Sequence, residues 1–165
     1  IPFERLTDPY GIRFWPEFKG RDGCRTPMPW EDSAPHAGFT ASTQSPWLPV
    51  PPEHITASVE RQHADPSSQL QQTRALVKMH TETAAFHTDK LDIIDGPEEM
   101  LVFIRGEAPN AALCMFNISG SPQTMVRPPE WRDANVIMNG GEISVDEGDE
   151  KETFKPWSWQ ILTTR

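Results

Sequence analysis

The sequence has 165 residues, 36% of them hydrophobic, and a formal net charge of −9. That length bounds it to one domain, or one domain plus a piece of another, and the composition is somewhat polar without falling into the disordered range. No apolar run approaches the roughly 18 residues of a membrane span, no basic and apolar leader opens the chain, and this charge argues against nucleic acid or an anionic membrane as partner, because phosphate neutralisation needs clustered Lys and Arg.

The chain opens on Ile1 rather than Met, which is consistent with a processed or trimmed protein or with the end of a longer polypeptide. Ten of its 17 prolines fall at or before Pro52. Proline fixes φ, removes a backbone donor and biases the preceding residue away from helix, so residues 1–52 cannot hold long regular elements. The same stretch carries Phe3, Tyr10, Phe14, Trp15, Phe18, Trp30, Phe39 and Trp47. Solvated linkers are poor in aromatics, so a stiff, aromatic-rich irregular segment of this length reads as a functional loop that needs a packing partner.

A weak helical turn is expected around Ile55–Gln62, then one clear helix. Asp65-Pro66 offers an N-cap followed by Pro at the first helical position. Leu70, Thr73, Leu76, Val77, Met79 and His80 then recur at helical spacing, which predicts a helix over about 66–82. Downstream the period becomes strand-like. Candidate strands are Lys90–Ile93, Met100–Ile104, Ala112–Ile118, Gln123–Val126, Asn135–Met138, Glu142–Val145 and Ser158–Thr163, separated by turn clusters such as Gly106–Asn110 and Gly140-Gly141. Many short strands at regular spacing predict an antiparallel sandwich of about 75 residues. The acidic run Asp146–Glu152 reads as a solvated loop, since it lacks the ligand pattern and turn of a calcium site.

Two cysteines, Cys24 and Cys114, exclude a disulfide scaffold and have no second Cys or His at metal-ligand spacing. No metal and no cofactor is expected, and two reduced thiols fit a cytoplasmic protein. The sequon at Asn117 reads as a strand end rather than a glycosylation site.

The densest chemistry is Gly20-Arg21-Asp22-Gly23-Cys24-Arg25-Thr26-Pro27-Met28-Pro29-Trp30, followed by Glu31-Asp32 and Ala37-Gly38-Phe39. Guanidinium groups are planar five-donor forks suited to carboxylates and to paired hydroxyls. Arginines beside tryptophans on a stiff loop suit a sugar, with its polar rim and apolar faces. The same composition describes a structural salt bridge equally well.

The block GRDGCRTPMPW resembles the RD-x-x-RTPM-x-W block of α-glucosidases and oligo-1,6-glucosidases in glycoside hydrolase family thirteen. The surrounding DPYGIRFWPEFKG, the later AGFT and PWLPV, and the stretch SVERQHADPSSQLQQTRALVKMH are similar to successive segments of the same family, the last to the helix that closes its catalytic barrel. The likeness is specific over residues 1 to about 86 and general beyond.

The resemblance implies a fold: the last active-site loop and closing helix of a (β/α)8 barrel (1–86), followed by an all-β antiparallel sandwich (87–165), with most of the barrel absent from this chain. Active sites of such barrels lie on the loops at the C-terminal ends of the strands. The family's three catalytic carboxylates would all precede Ile1. Glu4, Asp8, Asp22, Glu31 and Asp32 match none of them, so no catalytic residue is assigned here.

What the resemblance does imply is substrate binding. Arg21 and Arg25 match the arginines that line the pocket for the non-reducing-end glucose, one touching sugar and one bracing the loop, without dividing these roles between them. Trp30 reads as packing, and Pro29, where many relatives have Gln, as a subgroup marker. The implied activity is that of a retaining α-glucosidase on maltose-like oligosaccharides, by hydrolysis or glucosyl transfer, complete only with the missing N-terminal barrel portion. A non-catalytic carbohydrate-binding module and a purely structural β-sandwich are the competing readings.

Overall fold

Proline density decides the form of the N-terminal part. A computed structural model describes residues 1–145 and 151–164, and the chain falls into two compact units, Ile1–Ala75 and Leu76–Arg165. The first unit holds no strand and only short helices: α1 (Pro9–Arg13), α2 (Pro52–Ile55), α3 (Val59–Ala64) and the beginning of α4 (Gln69–Glu82). Asp8 caps α1 by accepting from the Tyr10 N–H, with Pro9 at the first helical position, where its missing N–H costs nothing. Ser58 caps α3 through the Arg61 N–H. The expected turn over 55–62 is thus two short helices separated by the buried Ser58.

Irregular backbone is tied down by other means. His36 and Ala37 sit in the left-handed region, with φ of 51° and 52°, ahead of Gly38 at 71°. The Ala37 carbonyl there accepts the N–H groups of Trp30 (2.7 Å) and Glu31 (3.1 Å).

The helix predicted to start at 66 starts at Gln69. Asp65 does cap, but over a tighter turn, accepting from the Ser67 N–H (2.8 Å) and hydroxyl (2.7 Å). Ser68 then takes over, accepting from the Gln71 N–H at 3.3 Å. Serine hydroxyls compete for backbone groups in this way. No residue of α4 is buried.

The second unit is antiparallel throughout. A five-stranded sheet runs in the order β1-β2-β3-β8-β5, and a three-stranded sheet in the order β4-β7-β6. The strands are β1 (Leu91–Ile93), β2 (Met100–Arg105), β3 (Ala112–Asn117), β4 (Gln123–Val126), β5 (Asn135–Gly140), β6 (Ile143–Val145), β7 (Lys151–Phe154) and β8 (Trp159–Thr163). One face of the larger sheet supplies Met100, Val102, Leu113, Met115 and Leu162 to a core with Met125, Trp131 and Phe154. Its other face carries Ala112, Cys114 and Ile161, covered by Met79, Ala85 and Phe86. Burial on both faces explains why residues 112–116 show no polar alternation. It also desolvates the Cys114 thiol, whose pKa is pushed up to about 12.

The acidic run was expected to be a loop as far as Glu152, yet Lys151–Phe154 form β7 with Glu152 and Phe154 facing inward. The Glu152 carboxylate is paired with the Arg127 guanidinium and accepts from the Gln160 amide at 2.7 Å, so a charge that looks solvated in sequence is buried and matched. Residues 146–150 of that run lie outside the described residues. Asn117 ends β3 and is itself buried, its amide reaching the carbonyls of Ser121, Phe154 and Lys155.

Candidate functional site

The loop that holds the two arginines is built on a close approach of two glycines. A Cβ on Gly20 would lie 2.8 Å from Gly11 Cα, and one on Gly11 would lie 2.8 Å from the Lys19 carbonyl oxygen. Gly20 also has a φ of 73°, which side chains other than glycine resist. This contact brings residues 19–22 onto the start of α1 and places Arg21 beside Asp8.

Two carboxylates then lock the junction. Asp8 Oδ2 accepts the Arg21 backbone N–H at 2.9 Å and its Nε at 3.1 Å, while Oδ1 accepts the Tyr10 N–H at 3.1 Å. Asp22 is fully buried. Its Oδ2 accepts the N–H groups of Thr7 (2.6 Å) and Asp8 (2.8 Å), and its Oδ1 the Thr7 hydroxyl (3.0 Å). The Arg21 backbone N–H and guanidinium hold the Asp8 carboxyl below its ordinary pKa, and the Thr7 and Asp8 N–H groups do the same for Asp22 against its burial. Buried carboxylates satisfied by backbone donors stay charged.

From Asp22 the chain makes a single 3₁₀ turn, Asp22–Cys24, closed by the Arg25 N–H on the Asp22 carbonyl at 3.0 Å. The exposed Cys24 thiol points back to the Arg21 carbonyl at 3.0 Å. The structure thus separates the two arginines. Arg21 is ion-paired to Asp8. The Arg25 side chain is exposed and makes no hydrogen bond or ion pair among the described residues.

A third carboxylate of the segment also has a structural partner. Asp32 is bound to Arg61 at 2.7 Å, which lowers its pKa, and Glu60 accepts the Asp32 N–H at 3.3 Å. Trp30, read as packing, has its backbone paired with Ala37 and Glu60 and half its side chain exposed. It shares that exposure with Phe3, Tyr10, Phe14, Phe18, Phe39 and Trp47, a density of apolar surface beyond the isolated residues of an ordinary exterior. Among the described residues no group of three His, Cys, Asp or Glu is arranged to hold a metal, and no helix is long and apolar enough to cross a membrane.

Sequence reasoning did not assign roles to Asp8 and Asp22. A signal for Asp8 was present, since Asp8-Pro9 is the same cap-plus-proline pair that was read at Asp65-Pro66. Asp22 is the acidic residue of the RD-x-x-R block, but its role depends on partners fourteen and fifteen residues away.

The family model for the alpha-amylase catalytic domain matches residues 3–89, and the chain belongs to that family. Within it, the chain is 40% identical over 128 residues to a probable alpha-glucosidase of Rhizobium meliloti, a match covering 78% of this chain and 23% of that protein. It is 28% identical over 161 residues to probable oligo-1,6-glucosidase 2 of Bacillus subtilis, covering 96% of this chain and 28% of that one. Among solved structures, an alpha-glucosyl transfer enzyme, XgtA, superposes with a TM-score of 0.79 at 36% identity over 100% of this chain and 30% of its own. The trehalulose synthase MutB shares the fold at a TM-score of 0.71. The chain spans about a quarter of the length of the curated relatives it matches.

Proposed function

We propose that this chain is the C-terminal part of a retaining α-glucosidase acting on terminal, non-reducing α-linked glucose of maltose-like oligosaccharides, by hydrolysis or by transfer. Residues 1–86 are the loop after the eighth barrel strand and the closing helix, and residues 87–165 are the sandwich domain. The observation that carries this reading is Arg25: a guanidinium left exposed and unpaired among the described residues, on a loop whose backbone is locked from beneath. The exposed aromatic residues of the same unit support a large missing partner, the barrel, whether in the same polypeptide or a companion chain.

In the complete site, Arg25 is the arginine that reaches the glucose hydroxyls, and Arg21 is the brace. A retaining mechanism needs one carboxylate as nucleophile and a second as acid and then base. Asp8, Asp22 and Asp32 are each committed to structural donors, which supports placing that pair upstream. The contribution of Arg25 is binding and orientation of the terminal sugar, and a cytoplasmic site agrees with the unpaired thiols.

The test is Arg25→Ala in the polypeptide that includes the barrel. Losing a hydrogen bond from a charged group costs about 1.5–3 kcal/mol, so KM for p-nitrophenyl α-glucoside should rise about tenfold to a hundredfold. A KM unchanged within twofold would remove Arg25 from the pocket.

A further inference from the structure

We propose that Asp22 and Asp8 are positioning residues that set the placement of Arg25 for sugar binding, and that they do so by hydrogen-bond geometry. The inference rests on the reading of Arg25 as the sugar-contacting arginine. Asp22 bridges in two directions at once. Its carboxylate takes two backbone N–H groups and one hydroxyl from Thr7 and Asp8, and its carbonyl takes the Arg25 N–H. Asp8, in turn, holds Arg21 by both backbone and side chain. The backbone of Arg25 therefore hangs from a point fixed to residues 7 and 8, with one 3₁₀ turn between them. A long, exposed arginine places its guanidinium reproducibly only if its Cα does not move, and binding geometry is sensitive to shifts of this order.

The two carboxylates differ in what can replace them. At Asp22 both backbone donors converge on Oδ2, and among the described residues the sole partner of Oδ1 is the Thr7 hydroxyl. A hydroxyl can accept as well as donate, so Asn at 22 can keep its carbonyl on the two N–H groups and donate its amide to Thr7. At Asp8 every partner of both oxygens among the described residues is an N–H donor. An Asn there must point an NH₂ at an N–H in either orientation. Asp22→Asn therefore preserves the latch, and Asp8→Asn opens it.

The experiment is a double-mutant cycle in the polypeptide that includes the barrel, read as KM for p-nitrophenyl α-glucoside. Protein lost irreversibly lowers apparent kcat and leaves KM in place, and a reversibly unfolded fraction raises KM only by the reciprocal of the folded fraction, less than twofold while most of the protein is folded. Asp22→Ala and Asp8→Asn should each raise KM about tenfold. Asp22→Asn should recover most of the loss caused by Asp22→Ala. Asp22→Ala added to Arg25→Ala should raise KM no further, because residues that act through one contact are not additive. Independent, multiplying effects of Asp22→Ala and Arg25→Ala would overturn the proposal, as would an Asp22→Asn variant as impaired as Asp22→Ala. If Arg25→Ala itself leaves KM unchanged, the assignment of Arg25 to the sugar fails first, and the positioning role falls with it.

Discussion

Replacing Gly20 with alanine probes the junction on which the arginine loop is built. The new methyl would have to occupy a left-handed backbone and sit 2.8 Å from Gly11 Cα, 3.0 Å from Gly11 N and 3.1 Å from Asp8 Oδ2. The first two neighbours are backbone and cannot rotate away. A left-handed conformation costs a non-glycine residue about 1–2 kcal/mol, and forcing a methyl into a filled space adds about 1–3 kcal/mol. The sum, about 2–5 kcal/mol, lowers the equilibrium protection of the junction by about thirtyfold or more, at tenfold per 1.4 kcal/mol. Gly23, three residues along the same loop, is the control. A Cβ there meets nothing within 4 Å, so Gly23→Ala should be neutral or slightly stabilising through the unfolded chain. Amide hydrogen exchange of the 165-residue chain reads this directly at the Thr7, Asp8 and Arg21 N–H groups, all of which end on the two carboxylates. Equal protection in the Gly20→Ala and Gly23→Ala proteins would refute the glycine contact as the basis of the loop.

Two further outcomes follow from the buried charges. Asp8 and Asp22 have folded-state pKa values depressed below the ordinary 3.8, so their contribution to stability is complete above that value and is lost as pH falls through the folded values. Exchange protection at Thr7, Asp8 and Arg21, corrected for intrinsic rate, should hold at pH 5 and decline only below 3.8; a decline beginning at pH 6 would contradict it. In the second unit, Glu152→Ala removes the carboxylate partner of the largely buried Arg127 guanidinium and should cost about 3–5 kcal/mol in denaturant unfolding, whereas the paired change Arg127→Met with Glu152→Leu should cost less, because it leaves the Gln160 amide without its acceptor but strands no charge. A cost below about 1 kcal/mol for the single change would mean that water reaches the pair.

The parts of this molecule that were legible in its sequence are those in which local chemistry and tertiary packing agree. Gln123–Val126 is a strand in both, and the apolar run from Ala112 is β3, buried on two faces. Where they disagree, the long-range partner decides. Lys151–Phe154 looked like the tail of an acidic loop because the partners that neutralise Glu152, Arg127 and Gln160, come from other segments. Asp65 looked like the cap of a helix beginning at 66, and two serines moved the start to Gln69. The site shows the same division. The block around Arg21 and Arg25 stood out as a motif, yet composition could not separate a sugar contact from a structural ion pair. The structure contains an ion pair at Arg21 and an open guanidinium at Arg25, and the difference is set by Asp8, thirteen residues from Arg21.

If this chain carries sugar-binding and structural parts of an α-glucosidase, as proposed, the reacting carboxylates lie elsewhere. Release of p-nitrophenol from p-nitrophenyl α-glucoside by the purified 165-residue chain, its identity verified by intact mass, tests this most directly, in parallel with the chain joined to the barrel segment proposed to precede it. No turnover above buffer is expected from the chain alone, and turnover is expected from the joined protein. Sustained turnover by the chain alone would contradict this, because the chain would then have to supply its own nucleophile and acid, with Asp8, Asp22 and Asp32 already held by Arg21, Thr7 and Arg61.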